Sequence, residues 1–270
     1  MNLKHYFLVA ICMICSSGYL SSQVVFKNSE VKISKLEAQV WVMETFDSTC
    51  MYIVEGTKKA MLIDTGTKCA HLDSIVGLIT KKPLYVVLTH AHGDHAGNVK
   101  YFKDIYMHPA DTVLFNRSAY KGNLHYLKDG DVFDLGERTI EVSYMPAHTP
   151  GSIVLLDKKS GSCFSGDAFG SNQVWLQLKP GAPISTYISS CIKMEKLMDN
   201  GITKIYCGHY CYVKKAFDKS YILSMHKLAE GLKNGTAPAG KSYPKKYGCK
   251  NPMIISEGEA SIVYDPDHIN

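Results

Sequence analysis

Short apolar runs separated by turn residues mark the first part of the chain. Residues 40–43, 51–54 and 60–63 each have the length of a β-strand, and the third run ends in an Asp-Thr-Gly sequence at residues 64–66. Runs of this kind, separated by Gly, Asp and Lys, predict an antiparallel meander. Residues 70–80 instead carry apolar side chains three and four positions apart, which predicts a helix.

Four later apolar strands share a second feature, because a residue able to bind a metal ion follows the end of each one. In sheets flanked by helices, sites form where strands end and loops begin. The four side chains are therefore expected to meet at one edge of the fold. Each predicted strand and the residue that follows it are 84–89 with His90, 140–145 with His148, 162–165 with Asp167, and 204–207 with His209.

Helical spacing and one last apolar run complete the predicted elements. Helices are predicted at residues 95–102, 110–115, 185–200 and 217–232, and a closing strand at residues 260–264. No low-complexity tract and no Pro/Gly linker interrupts the chain after its first residues. Residues 23–270 are therefore predicted to form one domain.

The first 22 residues have the pattern of a secretory signal peptide. Lys4 supplies a positive charge, residues 7–15 are apolar, and small or polar residues follow, with cleavage expected between residues 18 and 23. The apolar run is too short to span a bilayer, so a secreted or periplasmic protein is predicted. The alternative is a buried N-terminal strand or helix. Lipid anchoring at Cys12 or Cys15 is disfavoured because an isoleucine, not a small residue, precedes each cysteine.

Composition fits a globular protein. The chain has 270 residues, of which 46% are hydrophobic and 20% charged, so it can bury a substantial core and gives no case for disorder. Its formal charge of +5 includes Lys4 and no acid of the first 22 residues, so the mature chain carries 5 − 1 = +4. Residues 241–246 are the most basic stretch and are interpreted as a solvated loop. No nucleic acid partner and no stable membrane insertion are predicted, and nothing in the sequence specifies an oligomeric state.

The cysteines do not predict a disulfide framework. Nine are present, and removal of Cys12 and Cys15 with the signal leaves seven, an odd number without regular spacing. Cys207 and Cys211 flank His209, which raises a zinc-thiolate role for them. No second pair accompanies them, so burial as small apolar side chains is the favoured interpretation.

Residues 89–97 carry the strongest chemical signal. His90 and His92 are two apart on an extended segment, so their rings project to the same side. Asp94 and His95 follow where a helix is predicted to begin, and Gly93 and Gly97 are expected to allow tight turns. Imidazole and carboxylate groups in this order predict a zinc site instead of solvated loop histidines.

This segment resembles the signature of the metallo-β-lactamase superfamily. Further matching segments follow in the expected order at residues 62–66, 146–152, 164–167 and 207–209, so the resemblance extends over nearly all of the chain after the signal. It implies an α/β (α+β) fold, a four-layer αββα sandwich with two sheets face to face and helices outside. It also implies two zinc ions, one held by His90, His92 and His148 and the other by Asp94, His95 and His209, with Asp167 bridging both and Asp64 either supporting the site or occupying a turn.

The resemblance implies a hydrolase. Two zinc ions sharing one water would lower its pKa, and the resulting bridging hydroxide would attack an acyl carbon or phosphorus, with Asp94 as the catalytic group that orients the nucleophile and moves its proton. Members that cleave β-lactams generally have Cys or Ser where Asp167 stands, whereas thioesterases of the glyoxalase II type, lactonases and phosphodiesterases have Asp. The predicted function is therefore that of an exported dinuclear zinc hydrolase. It would cleave a small ester-type bond, such as a lactone or thioester, in a small-molecule substrate.

Several alternatives remain open at this point. They are a β-lactamase, a phosphodiesterase, and an iron-dependent oxidoreductase of the sulfur dioxygenase type on the same fold, since iron or manganese also accepts imidazole and carboxylate ligands. A non-catalytic module of this fold would be expected to have lost ligands, and none is missing here.

The substrate pocket is predicted from residues near the ligands. Phe169, Asn172 and Trp175 follow Asp167 in a loop expected to overhang the metals, and Tyr210 and Tyr212 follow His209. Packing or a solvated loop is the alternative for each of them. The other histidines after residue 22 match no ligand position and are interpreted as surface or hydrogen-bonded core residues; they are His71, His108, His125, His226 and His268, with His125 placed in a loop.

Overall fold

The computed structural model describes residues 23–146 and 148–269. The predicted signal peptide, residues 1–22, lies outside the described residues. Within the part of the chain that the structure describes, no helix combines the length and the apolar character that crossing a bilayer requires.

The first half of the chain forms an eight-stranded sheet whose strands follow one another in sequence order. The first five strands pair antiparallel, which agrees with the predicted meander, and from the fifth strand onward the pairs are parallel. Helix α1 (Leu72–Ile79) connects the fifth strand to the sixth. The strands are β1 (Val24–Lys27), β2 (Val31–Glu37), β3 (Val40–Thr45), β4 (Cys50–Glu55), β5 (Ala60–Ile63), β6 (Leu84–Val87), β7 (Asp104–Met107) and β8 (Asn123–Tyr126).

A second sheet of five strands is built from the middle of the chain. Its order is β14-β12-β11-β10-β9, and β12 and β14 run parallel, so that both end at the same edge. The strands are β9 (Val132–Asp134), β10 (Thr139–Tyr144), β11 (Ile153–Asp157), β12 (Ser162–Gly166) and β14 (Lys204–Cys207).

A third, smaller sheet was not predicted. It has the order β13-β17-β16-β15 and joins strand β13 (Gln173–Trp175) to the C-terminal strands β15 (Lys241–Ser242), β16 (Met253–Glu257) and β17 (Ala260–Tyr264). Strand β13 pairs parallel with β17, with Trp175 opposite Val263. The end of the chain is therefore connected to the segment that follows Asp167.

Among the described residues, three hydrophobic clusters lie between the layers of the fold. The one between the two large sheets includes Tyr52 and Phe164, whose ring centroids lie 4.9 Å apart. A second cluster packs α1 against the outer face of the eight-stranded sheet, and a third packs α3 (Ile184–Asp199) and α5 (Lys219–Asn234) against the other large sheet. The short helix α4 (Tyr210–Val213) follows β14. Each large apolar side chain buried in this way contributes about 1.5–3 kcal/mol. The predicted αββα sandwich is confirmed.

Two predicted helices are shorter than expected. In place of the predicted helix at residues 95–102, the chain forms one helical turn, α2 (Gly93–Ala96), and a separate 3₁₀ turn, Val99–Tyr101. Between them, Asn98 uses its side-chain nitrogen to donate to the carbonyl of Thr65 at 2.9 Å, and such side-chain bonds to backbone compete with helix continuation. Residues 110–115 likewise form a 3₁₀ helix, Pro109–Val113, which begins at a proline.

Smaller differences concern His125 and the cysteines. His125 lies in strand β8 and not in a loop, and its imidazole contacts the Asp104 carboxylate at 2.8 Å. The seven cysteines of the described residues are all free thiols, which agrees with the absence of a predicted disulfide framework.

Candidate metal centre

The loop after β6 delivers the first group of possible ligands. His90 and His92 project from it with ring centroids 4.9 Å apart, and His148, from the loop after β10, approaches His92 with 2.8 Å between Nε2 and Nδ1. These three side chains offer ligand atoms that all lie within 4.8 Å of one another. The group consists of imidazoles only, and His90 and His148 are buried.

A second group lies beside the first. Its members Asp94, His95 and His209 also offer ligand atoms within 4.8 Å of one another. Asp94 Oδ2 lies 3.7 Å from His95 Nε2 and 3.6 Å from His209 Nε2. Asp94 and His95 belong to α2, whereas His209 follows β14, so this group joins elements of both large sheets.

Asp167 lies between the two groups. Its Oδ2 is 3.1 Å from His209 Nε2 and 3.9 Å from His148 Nε2, and its Oδ1 is 3.6 Å from His95 Nε2. It also forms a third possible ligand set with His90 and His95. One carboxylate therefore faces ligands of both groups. All seven predicted ligands converge on one place in the fold.

The arrangement fits bound metal ions. His90 Nε2, His95 Nε2 and Asp167 Oδ1 are buried and have no hydrogen-bond partner among the described residues. Buried polar atoms are rarely left without a partner, and three that face one another point to a cation. Ligand atoms bound tetrahedrally to one zinc ion stand about 3.3 Å apart, close to the separations found here. Imidazole and carboxylate donors also suit iron and manganese, so the donor set does not select the metal.

Asp64 holds His95 in position. Its Oδ2 accepts a hydrogen bond from His95 Nδ1 at 2.8 Å, which leaves His95 Nε2 directed to the metal position. Thr89 fixes the carboxylate in turn, since its backbone nitrogen donates to Asp64 Oδ1 at 2.7 Å and its hydroxyl to Oδ2 at 2.8 Å. Asp64 has a left-handed backbone with φ of 61°, which Asp tolerates better than most residues. Of its two predicted roles, the geometry favours support of the site.

Asp111 was not predicted, and it ties the two loops that carry the imidazole group. Its buried carboxylate accepts hydrogen bonds from the backbone nitrogen of Ala91 at 2.8 Å, from the hydroxyl of Thr149 at 2.9 Å and from the backbone nitrogen of Gly151 at 2.5 Å. Ala91 stands between His90 and His92, and Thr149 follows His148. The only sequence signal was an acid in a short helical segment, which indicates nothing about a partner 40 residues away.

Backbone carbonyls position two further histidines. His148 Nδ1 donates to the carbonyl of Trp175 at 2.8 Å, and His209 Nδ1 donates to the carbonyl of Ser48 at 2.7 Å. Both bonds leave Nε2 of the ring free for a metal. Cys211 also donates to the Ser48 carbonyl, through its thiol at 2.9 Å, and Cys207 is buried in the core. The structure therefore assigns the two cysteines to packing and support of this loop.

The two groups have opposite electrostatic character. Burial, with the neighbouring imidazoles, lowers the pKa of His90 well below its usual value and that of His148 to about 4. Burial also opposes protonation of His209, but the Asp167 carboxylate outweighs it and raises the pKa of His209 to about 9. The first group therefore presents neutral imidazoles ready to bind a metal. The second holds negative charge that only protons or a cation can balance.

Glycines allow close packing at two places in the centre. A Cβ at Gly208 would lie 2.5 Å from both Asp167 Oδ1 and His95 Cε1, and one at Gly97 would lie 2.7 Å from the carbonyl oxygen of Gly93. Gly93 itself has nothing within 4 Å of an added Cβ. The structure therefore requires a small residue at Gly97, whereas an added Cβ at Gly93 would have open space. Gly208 is a further position that requires a small residue, and the sequence did not indicate it.

Five of the seven side chains line a cavity of about 830 Å³, and the other two, His90 and His95, are buried beside it; the five are His92, Asp94, His148, Asp167 and His209. Asn172 and Trp175 line it, as does Tyr212, but two predicted pocket residues do not. Phe169 is fully buried in the core beside Tyr187, because the chain turns inward after Asp167, and Tyr210 packs against the core. Lining residues that the sequence did not indicate are Asp47, Ser171, Gln173, Leu178, Tyr243, Lys245 and Tyr247.

Comparisons with known proteins agree with this geometry. The model of the family described as the metallo-beta-lactamase superfamily matches residues 45–209. The acyl-coenzyme A thioesterase MBLAC2 of Gallus gallus is 28% identical over 215 residues, which cover 63% of this chain and 76% of that protein. The hydroxyacylglutathione hydrolase of Francisella philomiragia subsp. philomiragia is 26% identical over 174 residues, which cover 64% of this chain and 68% of that one.

Among solved structures, TTHA1623 in a di-iron-bound form superimposes with a TM-score of 0.53 and is 25% identical. The match covers 64% of this chain and 90% of that chain. The family match ends at His209, so Tyr212, Tyr243, Lys245 and Tyr247 reach the cavity from beyond it.

Proposed function

Because the chain belongs to the metallo-β-lactamase superfamily, we propose that it is a dinuclear zinc hydrolase that cleaves a small ester-type bond, with thioesters and lactones as the first substrate classes. The observation that carries the proposal is the position of Asp167, whose carboxylate faces ligands of both groups. Two relatives that match by sequence bear the names of thioester hydrolases, which supports thioesters over the other classes.

The residues divide the work between two metal positions. His90, His92 and His148 would hold one ion, Asp94, His95 and His209 the other, and Asp167 would contact both. When bound, such ions polarise a substrate carbonyl and make water acidic enough to act as a nucleophile near neutral pH. The donor set holds two carboxylates, Asp94 and Asp167, against four positive charges of two ions, so the site favours an anionic product.

Asp94 is the residue we assign to proton transfer. Its side chain is 42% exposed and lines the cavity, whereas that of Asp167 is only 15% exposed. It is therefore the ligand carboxylate that a water entering from the cavity meets first. A carboxylate in this place accepts the proton of the attacking water and returns it to the leaving group.

Metal analysis and a hydrolysis screen test the proposal together. Zinc-loaded protein is expected to hold two zinc ions per chain and to hydrolyse thioesters or lactones faster than phosphodiesters and β-lactams. Asp94→Ala and His92→Ala are each expected to abolish turnover while the circular dichroism spectrum stays unchanged. Turnover that persists in both variants contradicts the assignment.

The other metals and reactions are outcomes of the same experiment. Iron without zinc in the purified protein, together with oxygen consumption in the presence of a thiol persulfide, favours the iron-dependent oxidoreductase. Fastest turnover of a β-lactam favours a β-lactamase, although Asp167 in place of Cys or Ser speaks against that reaction. Manganese with hydrolysis keeps the mechanism and changes only the metal.

Export is proposed from residues 1–22 alone. Expression of the full chain in a bacterial host is expected to yield a periplasmic or secreted protein whose first residue lies between 19 and 23. Amino-terminal sequencing of the product measures this, and an intact first residue in a cytoplasmic protein contradicts it.

A further inference from the structure

One wall of the cavity is formed largely by residues that follow the family match. It consists of Gln173 and Trp175 on β13 and of Tyr243, Lys245 and Tyr247 near β15, and we call these five residues the aromatic wall. Trp175 is in contact with Tyr247, with ring centroids 5.0 Å apart, and with Tyr243, with ring centroids 6.0 Å apart. Rings grouped in this way offer a broad apolar surface to a ligand.

The wall also offers hydrogen-bond donors to a ligand. Trp175 Nε1 donates to Gln173 Oε1 at 3.0 Å, and the Tyr243 hydroxyl donates to the same oxygen at 2.9 Å. Because an indole nitrogen can only donate, the amide oxygen of Gln173 must face it, and the amide nitrogen is left for another acceptor. Gln173 lines the cavity, so its two N–H groups are available to a ligand.

Lys245 adds positive charge to the same place. Its Nζ lies 5.4 Å from the centre of the Trp175 ring, and it is the only lysine or arginine among the described residues that line the cavity. Three acidic residues also line the cavity. Asp94 and Asp167 belong to the metal centre, and Asp47 accepts a hydrogen bond from the Thr45 hydroxyl at 2.5 Å. A ligand bound at the wall therefore meets one cation and the amide donors of Gln173.

From these contacts we infer that the aromatic wall binds a carboxylate-bearing substrate, with Lys245 and the Gln173 amide on the carboxylate and the rings on an adjoining apolar or aryl part. The inference deepens the proposed function and rests on it, since the bound molecule is the one whose ester-type bond reaches the metals. Small-molecule sites commonly combine an apolar surface with a few polar groups that fix orientation in this way.

A binding experiment tests the wall without relying on turnover. The chain has two tryptophans, and Trp41→Phe leaves Trp175 as the sole reporter of fluorescence. In metal-loaded protein of this background, 4-phenylbutyrate is expected to quench Trp175 and to bind about fivefold more tightly than the neutral 4-phenylbutanamide, the preference expected of one exposed charge contact. Equal affinity for the two compounds contradicts the inference.

Matched variants separate the wall from general effects of charge. Lys245→Glu and Gln173→Glu are each expected to bring the preference for the carboxylate below about twofold. The second keeps an acceptor for Trp175 and Tyr243, but it removes the free N–H donors and adds a negative charge. Lys246→Glu, an equally exposed neighbour that does not line the cavity, is expected to keep the preference. A loss of preference in Lys246→Glu as large as in Lys245→Glu means that only the overall field acts.

The apolar part of the wall has its own control. Tyr247 is 57% exposed and Tyr126, on β8 outside this cavity, is 59% exposed. Tyr247→Ala is expected to weaken binding of both compounds about threefold, the size of one aromatic contact, whereas Tyr126→Ala leaves both unchanged. Equal effects of the two substitutions contradict a role for the Tyr247 ring.

Turnover distinguishes failure of this inference from failure of the proposed function. Two thioesters of 3-phenylpropanoic acid differ in the thiol, which carries a carboxylate in the ester of 3-mercaptopropionate and none in the ester of N-acetylcysteamine. The monothioester of glutaric acid instead carries a carboxylate on the acyl group. Preference for either charged ester, lost in Lys245→Glu, supports the inference and identifies the side of the bond. Hydrolysis without such preference contradicts the inference alone. Binding of 4-phenylbutyrate as expected, with no ester hydrolysed, contradicts the proposed function alone.

Discussion

The metal centre and the aromatic wall line the same cavity, yet they are built in different ways. His95 and His148 are buried, and the Nδ1 atom of each donates a hydrogen bond to an acceptor in the protein. The acceptor is the Asp64 carboxylate for His95 and the Trp175 carbonyl for His148. Tyr247 and Lys245 of the wall are exposed to solvent. The centre therefore depends on side chains held by buried hydrogen bonds, whereas the wall includes side chains that face solvent. Substitutions in the two regions should therefore differ in size and in what they change.

The largest effect is expected at the carboxylate shared by both ligand groups. Asp167→Asn keeps the shape but removes the charge that faces His95, His148 and His209. Since loss of a partner behind a ligand already costs about 10–100-fold, loss of this ligand is expected to lower kcat/KM more than about 100-fold. The bound metal should fall below two ions per chain by elemental analysis. Two tightly bound ions in the variant contradict the bridging role.

The next effect tests how closely the centre is packed. In Gly208→Ala the new methyl group would lie 2.5 Å from Asp167 Oδ1 and from His95 Cε1, so both must move. A displacement of this kind is expected to lower kcat about 100-fold. Gly93→Ala is the matched control. It adds the same methyl group beside the predicted ligand Asp94, but the methyl group would have open space around it. Similar kinetics for the two variants show that the centre tolerates displacement.

Asp64→Asn tests the support of one ligand. The amide keeps the size of the side chain but weakens the acceptor for His95 Nδ1. Affinity for one of the two ions is expected to fall about 10- to 100-fold, while the ion held by the three histidines stays. Metal titration by isothermal calorimetry separates the two events. Equal weakening of both sites contradicts the assignment of Asp64 to His95.

Asp111→Asn is expected to have a smaller effect on the other group. It leaves every ligand in place and weakens the bonds to the backbone of Ala91 and Gly151, which hold the loops of His92 and His148. We expect about a tenfold loss of metal affinity at the three-histidine position, the lower end of the range for supporting partners. The same calorimetric titration measures it. A loss of metal affinity only at the position that includes His95 contradicts the proposed role of Asp111 in holding the three-histidine group.

The smallest effect on the centre is expected from the wall itself. Trp175→Phe changes the ring that faces the cavity but retains the backbone carbonyl that accepts from His148. Metal content should stay at the wild-type value, while KM for an aryl thioester rises about threefold through the smaller contact. Loss of metal from this variant shows that the wall and the centre are not separable.

The sequence predicted the metal centre much better than the wall, and the reason is physical. His90 and His92 share a short segment, and His148, Asp167 and His209 each follow a strand whose apolar run is visible in the sequence. Because strand ends meet at one edge, local patterns were sufficient to bring the ligands together. The two large sheets and the helices outside them followed from the same patterns and from the family resemblance.

The wall depends on pairing between distant segments. Strands β13 and β15 have three and two residues and no periodic signal, and β13 reaches its partner β17 across about 90 residues of sequence. Phe169 and Trp175 both looked like pocket residues, but only Trp175 lies on a strand that turns one side to the cavity. Asp111 was missed for a related reason, because two of its three partners are the backbone nitrogens of Ala91 and Gly151, which leave no trace in residue identity.

The bond between His148 and the backbone of Trp175 has a consequence for how this protein can change. Every amino acid, including proline, supplies a carbonyl oxygen at that position. Mutation can therefore replace the indole and alter which molecules are recognised while the imidazole keeps its acceptor. Randomised libraries at residue 175, and natural divergence at the same place, can sample new specificities from a catalytically competent starting point.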